Sequence, residues 1–156
     1  MSRKVLIGGI VVIAIVLGAL REFLFLNLNY AIDHLANHRT VSYAHSAFRA
    51  AIDGWSLGGL RSLKWIFSAF FIGTNLLLAL GLSRILFGDH RYRKLLILAF
   101  LGIAAFAFVL NMLGRNIPGL GDVAVKLLHV LQYPVMLFFL WAATWLGAAP
   151  HAGRAG

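Results

Sequence analysis

Histidine is the residue type in this sequence whose spacing best fits a chemical role. The chain has six histidines and no cysteine, which excludes disulfides and thiolate metal sites. His34 and His38 are four residues apart, so on a helix their side chains project from the same face, as two ligands of one metal ion do. No glutamate follows His34 to complete the H-E-x-x-H pattern of a zinc protease. The pair therefore suggests metal or haem ligation without a protease base.

Two other histidines are candidates for a third ligand. His45 follows the pair in the same polar segment, and His129 lies inside the last long apolar stretch. On a helix, His129 shares one face with Asp122, Lys126 and Tyr133. Ionisable residues within a membrane span usually face the protein interior or a wet cavity. A divalent metal or haem at His34, His38 and His129 is one prediction, and independent histidines at the lipid head groups are the alternative.

Further polar residues are candidates for ligand contacts or catalysis. In an enzyme, His45 or His129 would be the general base, and Arg39, Arg49 or Arg115 would bind a phosphate or carboxylate. The full set of candidate ligand-binding residues is Asp33, His34, His38, Arg39, His45, Arg49, Asn75, Lys126 and His129.

Two members of this set also have a purely structural interpretation. Asn75 lies in the middle of an apolar stretch, where its amide needs a partner, so we expect a hydrogen bond to another helix or, alternatively, a substrate contact. Lys126 can extend to the outer head groups and pair with Asp122. Pro134 removes a backbone donor and predicts a kink beside His129.

The composition shows which elements must position these residues. Of 156 residues, 61% are apolar and 12% are charged, and the mean hydropathy is +0.86. Soluble domains have about 45–50% apolar residues and about 25% charged residues, so this composition indicates a membrane protein. The net charge of +9 is then better explained by lipid head groups than by nucleic acid.

Apolar stretches of about 20 residues are long enough to cross the bilayer as helices. We predict an all-α, polytopic integral membrane protein of one domain over residues 1–156, with four spans in an antiparallel bundle. The spans are predicted at about 5–26, 62–86, 93–113 and 122–146. Membrane strands would need alternating polarity, which these blocks lack.

The long outer loop, residues 27–61, is predicted to contain one or two short amphipathic helices. The first would cover Tyr30 to His38. The second would begin after an N-cap at Thr40 or Ser42 and run to Asp53, where Gly54 ends it. Loops of this length usually have a function.

These features favour a small non-catalytic membrane subunit or accessory protein over an enzyme. An ion-coupled transporter is disfavoured because no apolar block has a central carboxylate and no inverted repeat is visible. The alternative is a membrane enzyme or electron-transfer subunit that uses the outer histidines. We expect membrane lipids, and other membrane proteins or a second copy of the chain, as partners.

The basic residues predict the orientation in the plasma membrane. Arg3-Lys4 and Arg91–Lys94 are dense clusters next to spans, and such clusters stay in the cytoplasm. Both termini would then be cytoplasmic. In intact cells, an impermeant thiol reagent should label Asn37→Cys but neither Ser2→Cys nor Asp89→Cys. Labelling of Asp89→Cys without labelling of Asn37→Cys would show the opposite orientation.

Overall fold

The computed structural model describes residues 2–88, 91–114, 117 and 119–147, which are helical with short connections and contain no strand. The helices of this part of the chain are α1 (Arg3–Ala36), α2 (Ser46–Ala51), α3 (Leu57–Phe87), α4 (Arg91–Leu113), α5 (Leu120–Gln132) and α6 (Val135–Gly147). Three of them, α1, α3 and α4 from Arg93, are long and apolar enough to cross a membrane. The bent pair α5–α6 makes a fourth if it is counted as one span. The prediction of an all-helical chain with apolar helices of membrane-spanning length is confirmed.

Helix α1 is longer than predicted. It has 34 residues, which corresponds to about 51 Å and exceeds the roughly 30 Å of hydrocarbon in a bilayer. The predicted separate helix from Tyr30 to His38 is wrong, because α1 continues through these residues to Ala36. The N–H of Asn37 closes the helix on the Asp33 carbonyl, and His38 leaves it with a positive φ of 47°.

Asn27 is accommodated within α1 at the point where the polar residues begin. Its amide nitrogen donates to the Phe23 carbonyl one turn earlier, at 2.7 Å. Its Oδ1 accepts from the backbone N–H of His45 at 2.6 Å. The Asn27 side chain, which would otherwise favour a turn, therefore leaves the helix intact. It also binds the segment at His45 to α1.

Helix α2 is shorter than predicted. It has six residues, and its N-cap is His45 rather than Thr40 or Ser42. The imidazole Nδ1 accepts from the N–H of Ala47 at 3.3 Å, which satisfies one of the free donors at the start of a helix. The helix ends at Ala51, and Gly54 follows in a turn with φ of 75°.

Two apolar clusters form the interior of the described part of the chain. One contains Leu28 and Ala31 of α1, Ala44, Phe48 of α2 and Leu60 of α3. We call residues 28–63, which surround this cluster, the cap. The other cluster joins α1, α3, α4, α5 and α6 through buried residues that include Ala14, Ala79 and Phe100.

Helices α1 and α3 run antiparallel along most of their length. At one end, Arg3 of α1 donates to the carbonyl of Leu86 near the end of α3. At the other, Lys64 Nζ donates to Asn29 Oδ1 at 2.8 Å. These two helices therefore connect the cap to the apolar cluster around Ala79.

Helices α4 and α5 approach each other closely where the chain turns between them. A Cβ on Gly114 would lie 2.5 Å from the backbone nitrogen of Gly121 and 2.8 Å from its Cα. Only a residue without a side chain fits there. Gly102 lies inside α4, and a Cβ there would meet nothing within 4 Å.

We therefore predict that Gly114→Ala lowers the free energy of unfolding by about 1–3 kcal/mol, because the added methyl group forces the two backbones apart. Gly102→Ala is the matched control and should not lower stability; it should raise it by up to about 1 kcal/mol, because alanine favours a helix interior more than glycine does. Thermal unfolding in mild detergent measures both. Equal stability of the two variants would show that the close approach of Gly114 and Gly121 is not required.

Candidate functional site

The break between α5 and α6 creates an unusual demand for hydrogen bonds inside an apolar region. The two helices meet at an angle of 59°, so the kink predicted at Pro134 is present as a full break. Tyr133 N–H still reaches the His129 carbonyl, whereas the N–H groups of Leu137 and Phe138 both bond the Pro134 carbonyl. The carbonyls at the end of α5 have therefore lost the partners that a continuous helix would supply, which is costly in hydrocarbon.

Asn75 of α3 satisfies two of these carbonyls. Its amide nitrogen donates to the carbonyl of Gln132 at 2.7 Å and to that of Leu131 at 3.3 Å. Asn75 is buried, and its Oδ1 has no hydrogen-bond partner in the described structure. The predicted hydrogen bond from Asn75 to another helix is confirmed, and it ends on the backbone of the break itself.

Arg21 of α1 occupies the same region and is 3% exposed. Its Nη2 and Nε donate to Gln132 Oε1 at 2.8 and 3.2 Å. Its Nη1 donates to the Tyr133 hydroxyl at 2.7 Å and to Glu22 at 3.1 Å. A planar guanidinium presents several donors in fixed directions, so one side chain can bind three partners at once.

Aromatic rings and a carboxylate complete the surroundings of this guanidinium. The Cζ atom of Arg21 lies 4.7 Å from the ring centre of Phe25 and 4.4 Å from that of Tyr133, within the range of cation–π attraction. The Tyr133 hydroxyl also donates to the exposed carboxylate of Glu22. We call Arg21, Glu22, Gln132 and Tyr133 the arginine cluster, and its two formal charges are opposite.

Arg21 is not among the candidate residues predicted from the sequence. Arginine followed by glutamate inside an apolar block resembles the flank of a span, and the partners of Arg21 lie 111 and 112 positions further along the chain. A usable signal was present: Gln132 and Tyr133 are neighbouring polar residues directly before the only proline of an apolar stretch. Such a break in hydrocarbon calls for a donor from another helix.

A cavity of about 240 Å³ opens beside the arginine cluster. We call it the side cavity. Phe25, Trp65, Val125 and Leu128 make its apolar surface, and its polar lining residues are Lys64, Ser68, Asn111, His129 and Gln132. Gln132 therefore belongs to both the cavity wall and the arginine cluster.

The predicted histidine ligands lie in different surroundings. His129 lines the side cavity, with its ring 6.5 Å from that of Tyr133. His34 lines a pocket of about 150 Å³ in the cap together with Arg49, and its buried Nδ1 has no partner. His45 caps α2, and His38 is exposed.

The other candidates are partly used within the cap. Arg39 forms a salt bridge with Asp33 at 2.8 Å, and Asn37 donates to the same carboxylate. Lys126 is exposed, and Arg115 lies outside the described residues. Within the described ranges, no group of three or more His, Asp or Glu side chains is close enough to hold a metal ion. The metal or haem site at His34, His38 and His129 stays a prediction without structural support.

Comparison with known protein families, curated proteins and solved structures gives no match to this chain.

We predict that Asn75→Leu lowers the free energy of unfolding by about 1 kcal/mol. The variant leaves the carbonyls of Leu131 and Gln132 without a donor, although it also removes the unpartnered Asn75 Oδ1. Thr74→Val is the matched control, because Thr74 donates within its own helix, to the Phe70 carbonyl at 2.8 Å. Unfolding in mixed micelles measures both. A loss no larger than that of Thr74→Val would contradict the role of Asn75 at the break.

Proposed function

We propose that this protein is a non-catalytic membrane subunit or accessory protein whose cap docks onto another membrane protein. The observation that supports this most is the surface of the cap. It has its own buried cluster, yet Val41 and Tyr43 remain 61% and 70% exposed. The ring of Tyr43 also contacts that of Tyr30, which is itself 37% exposed, so these side chains form a patch, and exposed apolar patches mark interaction sites.

The membrane part of the proposal is a bundle of four antiparallel spans in the plasma membrane, with both termini in the cytoplasm. In this arrangement α5 and α6 form one broken span, and the cap lies on the outer side. Support comes from the antiparallel pairing of α1 with α3 and from the exposed apolar surface of α4, which suits contact with lipid. The basic residues at Arg3-Lys4 and Arg91–Lys94 favour this orientation.

The non-catalytic part of the proposal rests on how the interior polar groups are used. Arg21 of α1 binds the side chain of Gln132 in α5, and Asn75 of α3 binds the backbone of the break. Groups engaged in this way stabilise a fold and are poorly placed to exchange protons with a substrate. A small rigid protein that presents a docking surface needs nothing more from its interior.

The alternative is a membrane enzyme or electron-transfer protein that uses the outer histidines. One observation favours it: His34 Nδ1 is buried without a partner in a pocket that Arg49 also lines. Purified protein with bound haem would show a Soret absorption band, which the subunit proposal does not predict.

Site-specific crosslinking tests the docking surface. A photoreactive amino acid in place of Tyr43 should give a discrete adduct with one other membrane protein in intact cells, identified by mass spectrometry. The same amino acid in place of Ala47, an exposed residue of α2 in the same cap, is the control and should not give that adduct. Adducts that are identical at both positions, or adducts with lipid alone, would refute docking through Tyr43.

A further inference from the structure

The side cavity combines positive charge with apolar walls. Lys64 of α3 supplies this charge, and His129 of α5, Asn111 and Ser68 add polar groups. No Asp or Glu is among its lining residues. A ligand that fits such a cavity is negatively charged at one end and apolar at the other.

Lys64 has hydrogen-bonding capacity left for such a ligand. An ammonium group has three N–H donors, and the one bond described for Lys64 goes to a neutral amide oxygen, Asn29 Oδ1 at 2.8 Å. The described ion pairs are Arg21 with Glu22 and Arg39 with Asp33, so the charge of Lys64 is not neutralised by either carboxylate. Half-buried ammonium without a counter-ion attracts an anion.

Gln132 adds a neutral donor that the arginine cluster orients. Both N–H donors from Arg21 end on Gln132 Oε1, so the amide NH₂ is the hydrogen-bonding group that Gln132 has left. Because Gln132 also lines the cavity, this donor suits an anionic oxygen rather than a cation. The cluster thereby fixes which end of the Gln132 amide is free.

The apolar walls identify what carries the anion. Trp65 is more than half exposed at the edge of the cavity, close in sequence to Lys64 at the cap end of α3. Tryptophan and lysine together are typical of the depth at which lipid head groups meet acyl chains. Phe25 of α1 and Val125 and Leu128 of α5 add further apolar surface to the cavity.

We propose that the side cavity binds the anionic phosphate head group of a membrane lipid, with Lys64, His129 and Gln132 on the phosphate and an acyl chain along Trp65 and Leu128. This site is independent of the docking surface at Tyr43. A free phosphate compound offers the same anionic oxygens, so the experiment below separates the two sources.

Fluorescence quenching of Trp65 by brominated lipids tests the proposal in the full chain. The protein is reconstituted in phosphatidylcholine vesicles that contain a small fraction of phosphatidylglycerol brominated on its acyl chains. The chain has four tryptophans, so the signal of Trp65 is taken as the difference from Trp65→Phe. We expect brominated phosphatidylglycerol to quench Trp65 several-fold more than brominated phosphatidylcholine at the same fraction.

The charge of Lys64 should determine this preference. Lys64→Gln should reduce it about fivefold, the effect of one lysine near an anionic surface. Lys64→Arg keeps the charge and should retain the preference. This result would also show that the protein folds with a substitution at position 64. Lys126→Gln is the matched control, because Lys126 is exposed on α5 and does not line the cavity.

Three outcomes would overturn the proposal. Equal quenching by the two brominated lipids would show that no anionic lipid is selected. Equal loss in Lys64→Gln and Lys126→Gln would show that overall surface charge, rather than the cavity, is responsible. Relief of quenching by millimolar glycerol phosphate would show that a soluble anion occupies the site instead.

Discussion

A helix that breaks in a buried, apolar part of the protein leaves backbone carbonyls that need donors from other helices, and this constraint determines much of the structure. Pro134 removes a donor, and the angle of 59° between α5 and α6 removes others. Two other helices supply donors to this region. Asn75 of α3 donates to the carbonyls of Leu131 and Gln132. Arg21 of α1 donates to the side chains of Gln132 and Tyr133. Helices α1 and α3 therefore both supply donors that stabilise the break.

The position of Arg21 also links the two apolar clusters. Ala14 belongs to the cluster around Ala79, and Leu28 belongs to the cap cluster. Both lie two helical turns from Arg21 along α1, one on each side, and residues seven apart share a helix face. The buried guanidinium therefore lies between the cluster around Ala79 and the cap cluster on a single continuous helix. The side cavity opens at the same level, because Gln132 belongs to both.

Features set by local chemistry were predictable from the sequence, and features set by distant contacts were not. Apolar length predicted α4 almost to the residue, and Pro134 predicted a kink at the position where the structure has a full break. The separate helix at Tyr30 was a wrong prediction because Leu28 and Ala31 pack in the cap cluster, which extends the buried face of α1 beyond its apolar block. Arg21 was not predicted because no spacing rule connects it with Gln132. Asn75 was predicted because an amide in the middle of an apolar block requires a partner.

A double-mutant cycle between Arg21 and Gln132, measured as unfolding free energies in lipid bicelles, tests directly whether Arg21 stabilises the broken helix. Arg21→Met, Gln132→Leu and the double variant isolate the interaction of the guanidinium with the amide oxygen. If the two hydrogen bonds at 2.8 and 3.2 Å stabilise the break, the coupling energy should be about 1–3 kcal/mol. Additive effects, with a coupling energy near zero, would contradict the claim that Arg21 stabilises the broken helix.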